Sequence, residues 1–253
     1  MRIAVVQHDI VWCDRETNFV HLEKMVVEAS HNGADLVLLS ETFSTGFAVD
    51  QVGFAEPVDG PSSQFLKRMA TTHGVWVAGS CPEVHPGDAR PSNTLVVASP
   101  TGELSRYRKI HPFTYGGEDE HVRPGDQLVT IDIDGLRVSL FVCYDLRFAD
   151  EFWGLAHETD VYLVPANWPA SRREHWMTLL RARAIENQAY VIGCNRVGEG
   201  GGLVYSGDSR VIDPFGELVA EVGDGETILY AEVTTARVAE VRDRFRFLPD
   251  RRS

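Results

Sequence analysis

The 253-residue chain is short of cysteine, short of basic side chains relative to acidic ones, and free of long apolar runs. Each shortage removes a class of protein. Cys13, Cys81, Cys143 and Cys194 are scattered without any C-x-x-C pair, so neither a disulfide framework nor a structural zinc site is expected. Lys and Arg number 24 against 37 Asp and Glu, a formal charge of -13 that repels nucleic acid and anionic lipid over most of the surface. A small cationic pocket for an anionic substrate is still compatible with that balance. Nothing approaches the roughly 18 unbroken apolar residues of a membrane span. The opening run Ile3-Ala4-Val5-Val6 is too short for a secretory signal. A soluble cytoplasmic protein with no nucleic-acid or membrane partner is expected.

What the chain does have is enough apolar residues, 43%, for a substantial core, and one α/β domain over residues 1–253 is the economical reading. Strand-length apolar runs recur at Ile3-Gln7, Leu36-Leu39, Val75-Ala78, Leu95-Ala98, Val138-Val142, Val161-Val164 and Tyr190-Gly193. Most are continuous rather than alternating, as in strands buried on both faces. Helical patterns lie between them. Asn18 to Ala29 would turn Val20, Met25 and Val26 inward, and Pro61 to His73 opens on a first-turn proline and carries Phe65, Leu66 and Met69. Ser171 to Gln188 would hold Trp176, Leu179, Leu180, Ala184 and Ile185 on one face. This alternation indicates layered α/β architecture. Asp134-Gly135, between Val129-Thr130-Ile131 and Val138-Ser139-Leu140, is a hairpin signal and makes the sheet mixed. Residues 97–104 and 211–218 share a V-x-x-P-x-G-E-L frame, which suggests two similar halves or two ordinary Pro/Gly turns. The stretch Gly198-Glu199-Gly200-Gly201-Gly202 precedes no helix and carries no lysine, so it fails as a phosphate loop and reads as a mobile surface loop.

Three segments could carry chemistry. Cys143 ends an apolar strand and precedes a polar run that leads into a helix. A cysteine on such a turn is exposed at the sheet edge, and the following backbone N–H groups favour thiolate and offer an oxyanion donor. A buried structural cysteine is the competing reading. Glu41 leaves the strand Leu36-Val37-Leu38-Leu39 just before the flexible-looking run Thr42 to Phe47, so its carboxylate is partly desolvated and suited to base catalysis, or it caps a loop. In Arg106-Tyr107-Arg108-Lys109, strand alternation puts Tyr107 and Lys109 on one face and the arginines on the other, although such runs are commonly solvated edges.

The contexts Leu39-Ser40-Glu41-Thr42-Phe43, Tyr107-Arg108-Lys109-Ile110-His111 and Val142-Cys143-Tyr144-Asp145-Leu146-Arg147-Phe148 resemble the three signatures of the nitrilase (carbon–nitrogen hydrolase) superfamily. The resemblance extends through Pro165-Ala166-Asn167-Trp168-Pro169, Arg181 to Gln188 and Asp213-Pro214-Phe215-Gly216-Glu217. It implies a four-layer αββα sandwich with mixed sheets, pairing into homodimers with residues 236–253 as an arm at the interface. It also implies a catalytic trio of Glu41, Lys109 and Cys143. The family's second glutamate stands seven residues before a glycine, which from Gly125 gives Glu118, with Glu120 the contender. Lys109 and the Tyr144 N–H would form the oxyanion hole, and no metal or organic cofactor is implied. His111 as an alternative base for Cys143, and His175 as a packed or hydrogen-bonded helix residue rather than a catalyst, complete the candidates.

The flanks of Cys143, with Asn167-Trp168-Pro169 and His175-Trp176, are similar to omega-amidases, which cleave the side-chain amide of 2-oxoglutaramate or 2-oxosuccinamate. An anionic amide needs a cation at its far end. Arg172 and Arg173, opening the Ser171 helix, are the candidates, with Trp168 and Asn167 also lining the substrate. Other branches implied by the same trio are general aliphatic amidases and N-carbamoyl amino acid hydrolases. The reading from a different class is an inactive binding scaffold.

Overall fold

All seven apolar runs form strands in the computed structural model, which describes residues 1–51 and 53–252. The first half runs β1 (Arg2–Gln7), α1 (Arg15–His31), β2 (Leu36–Leu38), β3 (Glu56–Pro57), α2 (Pro61–His73), β4 (Trp76–Val84), β5 (Ser92–Ala98) and β6 (Leu104–Arg108). A short α3 (Glu118–His121) leads into β7 (Thr130–Ile133), β8 (Leu136–Leu140), α4 (Ala149–Leu155), β9 (Val161–Ala166), α5 (Arg173–Asn187) and β10 (Tyr190–Asn195). The chain closes with β11 (Val197–Gly200), β12 (Leu203–Ser206), β13 (Arg210–Ile212), β14 (Leu218–Glu221), β15 (Thr227–Glu232) and α6 (Thr235–Arg244).

Two mixed sheets result, ordered β15-β1-β2-β4-β5-β6, with β3 beside β4, and β14-β13-β10-β9-β8-β7. Alternation along each strand explains why the apolar runs are continuous. In β1, Ile3 and Val5 join the core between the sheets, whereas Ala4 and Val6 pack outward with Leu22 and Val26 of α1 and Leu66 and Met69 of α2. Trp176, Leu180 and Ala184 of α5 close the opposite face. The layers are therefore helix, sheet, sheet, helix, the expected αββα sandwich. Among the described residues no helix is long and apolar enough to cross a membrane.

The two sheets repeat one pattern. Read as β15-β1-β2-β4-β5-β6 and β7-β8-β9-β10-β13-β14, successive pairs are antiparallel, parallel, parallel, antiparallel and antiparallel in both. The shared V-x-x-P-x-G-E-L frame falls at equivalent places, joining β5 to β6 and β13 to β14. Its turns even use the same bonds: Gly102 N–H to Ser99 O and Gly216 N–H to Asp213 O, each 2.9 Å. The echo in the sequence thus marks two similar halves.

Local corrections are instructive. The Asp134-Gly135 turn forms as expected, with both residues at positive φ, 51° and 86°. The glycine-rich stretch is no loose loop. It folds into the β11–β12 hairpin, where a Cβ on Gly200 or Gly201 would come within 2.7 Å of the Trp12 ring. The run after Glu41 is buried from Thr42 to Gly46 rather than flexible. Val20, expected inward on α1, is 60% exposed because the buried stripe is Asn18, Leu22, Val26 and Ala29. Ile185, expected inward on α5, is 47% exposed and lies against Gly216 instead. Helix α6 packs onto the chain's own body, with the Arg242 guanidinium donating to the carbonyls of Gln188, Ala156 and Thr159. Of the expected arm, Ser253 lies outside the described residues.

Candidate active site

The pseudo-equivalent strands β2 and β9 both end beneath one cavity of about 450 Å³, lined by Glu41, Lys109, Cys143 and Asn167 among others. Glu41 lies just past β2, Lys109 just past β6, Cys143 just past β8 and Asn167 just past β9. Residues distant in sequence meet because strand ends meet. Glu41, Lys109 and Glu118 are fully buried, and Cys143 is 8% exposed.

Two carboxylates share one ammonium here. Lys109 Nζ donates to Glu41 Oε1 at 2.9 Å and to Glu118 Oε2 at 2.8 Å. Burial works against the charge on Lys109, but Glu118 and Glu41 hold its pKa well above the ordinary lysine value. Asn93 Nδ2 bridges the same pair, reaching Glu41 Oε1 at 2.9 Å and Glu118 Oε1 at 3.1 Å. The Asn167 N–H donates to Glu41 Oε2 at 2.8 Å, and the Phe113 N–H to Glu118 Oε2 at 2.6 Å. Glu118, not Glu120, is brought to the centre; Glu120 is exposed.

Cys143 has φ 45°, a left-handed conformation that costs a non-glycine residue about 1–3 kcal/mol. Asp145 holds it there. Its Oδ2 accepts the Val142 N–H at 3.0 Å and the Tyr107 hydroxyl at 2.8 Å, while Oδ1 accepts the His111 N–H at 2.9 Å. One buried carboxylate thereby ties both flanks of Lys109 to the turn bearing Cys143. Burial pushes the Asp145 pKa up to about 7 against the opposing pull of Lys109 and these donors. The sequence suggested that the turn favours thiolate; the structure corrects this. Burial first, and then the charge of the Glu41 carboxylate, push the Cys143 thiol well above its ordinary value, with Lys109 opposing. A thiol held in this way needs a neighbouring base to become nucleophilic. The Tyr144 N–H, in the first turn after the strand, makes no hydrogen bond among the described residues.

The other candidates divide. Arg172 lines the cavity with its guanidinium 5.3 Å from the Phe113 ring centroid. Arg173 does not line it, because its side chain is held by Asp208 at 2.6 Å; adjacent helical positions point in different directions. Arg147, an arginine of the cysteine signature for which the sequence suggests no role, lines the recess beside Cys143 together with Arg172. It lies 4.9 Å from the Trp168 ring centroid, donates to His175 Nδ1 at 3.2 Å, and has no carboxylate partner among the described residues. Trp168 is pinned through its indole N–H to Arg172 O at 2.9 Å. The Asn167 side chain donates to the Glu41 carbonyl at 2.7 Å. His111 stacks on Phe148 and turns toward Glu151, away from the cavity. No group of three or more His, Cys, Asp or Glu side chains among the described residues is arranged to hold a metal ion.

A carbon–nitrogen hydrolase family model matches residues 2–243. The chain belongs to the carbon–nitrogen hydrolase family. It is 36% identical to the omega-amidase YafV of Escherichia coli strain K12 over 249 residues, covering 97% of this chain and 94% of that protein. With the 2-oxoglutaramate amidase of Bacillus subtilis strain 168 it shares 35% identity, covering 95% and 93%. Among solved structures, the carbon–nitrogen hydrolase superfamily protein XC1258 of Xanthomonas campestris, with an arsenic adduct in its active site, superposes with a TM-score of 0.94 at 34% identity, covering 100% of this chain and 97% of that one. The αββα architecture read above is the architecture of these carbon–nitrogen hydrolases.

Proposed function

We propose that this carbon–nitrogen hydrolase converts a primary amide to a carboxylic acid and ammonia, and that its substrate is an anionic omega-amide of the 2-oxoglutaramate or 2-oxosuccinamate type. The observation that carries the reading is the convergence of Glu41, Lys109 and Cys143 on one cavity, with Glu118 bonded to Lys109 and a Tyr144 N–H, next to the cysteine, that makes no hydrogen bond among the described residues. Glu41 takes the thiol proton as Cys143 Sγ attacks the amide carbon, and Lys109 with the Tyr144 N–H stabilises the oxyanion. The proton passes from Glu41 to the amide nitrogen, ammonia leaves, and a thioester remains. Glu118 positions a water, Glu41 removes its proton, and attack on the thioester releases the acid and restores the thiol.

The relatives named above support the omega-amide, and so do the cations: in a chain of formal charge -13, Arg147 and Arg172 face the sulfur's recess free of any carboxylate among the described residues. Guanidinium forks suit a terminal carboxylate. Arg172→Met and Arg147→Met are each expected to raise KM for 2-oxoglutaramate about 10–100-fold, since a charge-assisted hydrogen bond contributes about 1.5–3 kcal/mol. KM for a neutral amide such as butyramide should stay within a factor of about two, an expectation that follows from its having no carboxylate to lose. Equal effects on both substrates would refute the anion subsite and favour a general aliphatic amidase. An ammonia-release panel including N-carbamoyl amino acids separates the third branch, and ammonia from none of these amides would leave the scaffold.

The same reading treats the chain as one domain acting as a homodimer in the cytoplasm. Phe215 and Phe245, 40% and 49% exposed with centroids 5.6 Å apart, form with nearby Ile185 an apolar patch that a second copy would cover. Four unpaired cysteines suit a reducing compartment.

A further inference from the structure

The two oxygens of Glu41 stand in different surroundings. Oε1 receives two donors, Lys109 Nζ and Asn93 Nδ2, both at 2.9 Å. A carboxylate oxygen has two in-plane lone pairs, so Oε1 is saturated. Among the described residues Oε2 receives one donor, the Asn167 N–H at 2.8 Å, and keeps a lone pair. Asn93 makes this asymmetry. It lies on β5, 1% exposed, and its second N–H goes to Glu118 Oε1 at 3.1 Å. Its own Oδ1 is buried with no partner among the described residues. An unpaired buried carbonyl is a standing cost, yet flipping the amide would point that oxygen at two carboxylates. The amide is therefore fixed with both N–H groups toward the acids.

We propose that Asn93 is a positioning residue that selects Glu41 Oε2 as the atom exchanging protons with Cys143 and the departing nitrogen. The proposal rests on the reading of Glu41 as general base. With Oε1 occupied, the thiol proton has one place to go, and the carboxylate cannot rotate to offer another. The same bonds hold Glu118 parallel to its task, so one amide sets both acids. Asn93 touches neither substrate nor sulfur in this role; it acts through Glu41 and Glu118.

The test compares Asn93→Leu, which keeps the branched shape and removes both donors, with Asn93→Ser, which keeps one, and with Glu41→Gln. Rates are expressed per Cys143 thiol titrated by iodoacetamide in protein isolated as the folded species by gel filtration, so that misfolded protein is not counted. Asn93→Leu is expected to lower kcat about 10–100-fold, the loss of hydrogen bonds to charged acceptors. KM should be unchanged, Asn93→Ser should fall between, and the solvent deuterium isotope effect on kcat should rise as proton transfer slows. Wild-type kcat per titrated thiol in Asn93→Leu, with Glu41→Gln inactive, overturns the proposal alone. If Asn93→Leu does not fold, wild-type kcat and isotope effect in Asn93→Ser overturn it instead. A Glu41→Gln enzyme at the wild-type rate overturns the reading beneath it as well.

Discussion

Replacing Cys143 with alanine is expected to abolish ammonia release, by about 10⁴–10⁶ in kcat, the range seen when a covalent nucleophile is removed from an acyl-transfer site. The protein should remain folded. Only one sulfur is lost from a position 8% exposed, and the fold's hold on the turn runs through Asp145 and the backbone of Val142 rather than through the thiol. Alanine also relieves nothing of the left-handed backbone at this position, so any stability change stays small. Thermal melting and circular dichroism separate the two effects. The other cysteines are not substitutes. Cys194 donates to the carbonyls of Val6 and Leu38 between the sheets, and Cys81 sits beside Ser63 at the edge of α2. An alanine variant that kept wild-type turnover would remove the thioester route altogether.

Lys109→Met is expected to damage both activity and stability. Methionine fills a similar volume but leaves Glu41 and Glu118, both fully buried, without their shared cation. Breaking a buried pair by deleting one partner costs about 3–5 kcal/mol, because the remaining charge is stranded. Here two charges are stranded. One or both carboxylates should take up a proton, which removes the base that Cys143 needs. Loss of an oxyanion donor alone costs about 10²–10³ in kcat, so the combined loss should exceed that range. The measurement is kcat alongside the denaturation midpoint. A variant as stable as the parent would mean that the carboxylates do not depend on this ammonium. Glu118→Gln, which leaves one carboxylate for Lys109, should be far milder in stability.

These sites were unequally legible in the sequence. Glu41, Lys109 and Cys143 each have an ordinary structural explanation, and context alone singled them out. The architecture explains part of this: Glu41 and Cys143 each stand just past a buried strand whose apolar run fixes where they emerge, whereas Lys109 follows the half-buried, basic β6. Simple alternation puts Tyr107 on the Lys109 side, and it is buried there, bonded to Asp145. Arg147 was harder. Its motif was visible, but nothing in a linear pattern says that it faces a recess shared with Arg172, which comes 25 positions later in the sequence. Arg173 illustrates the opposite error, since two adjacent arginines look equivalent until the helix turns one toward Asp208. Asn93 carried no signal at all. An asparagine within a strand has no periodic meaning, and its partners are 52 and 25 residues away. The glycine run failed for a related reason, because composition suggested mobility while the Trp12 ring, nearly 190 residues earlier, demands those glycines at a packed hairpin.

The central claim is that hydrolysis passes through the sulfur of Cys143, and controlled alkylation tests it most directly. The enzyme is treated with limiting iodoacetamide, the ammonia-releasing activity on 2-oxoglutaramate is followed, and the labelled cysteines are mapped by mass spectrometry. Activity should fall in proportion to carbamidomethylation of Cys143, and substrate should protect both. Full labelling of Cys143 with activity retained would contradict the account.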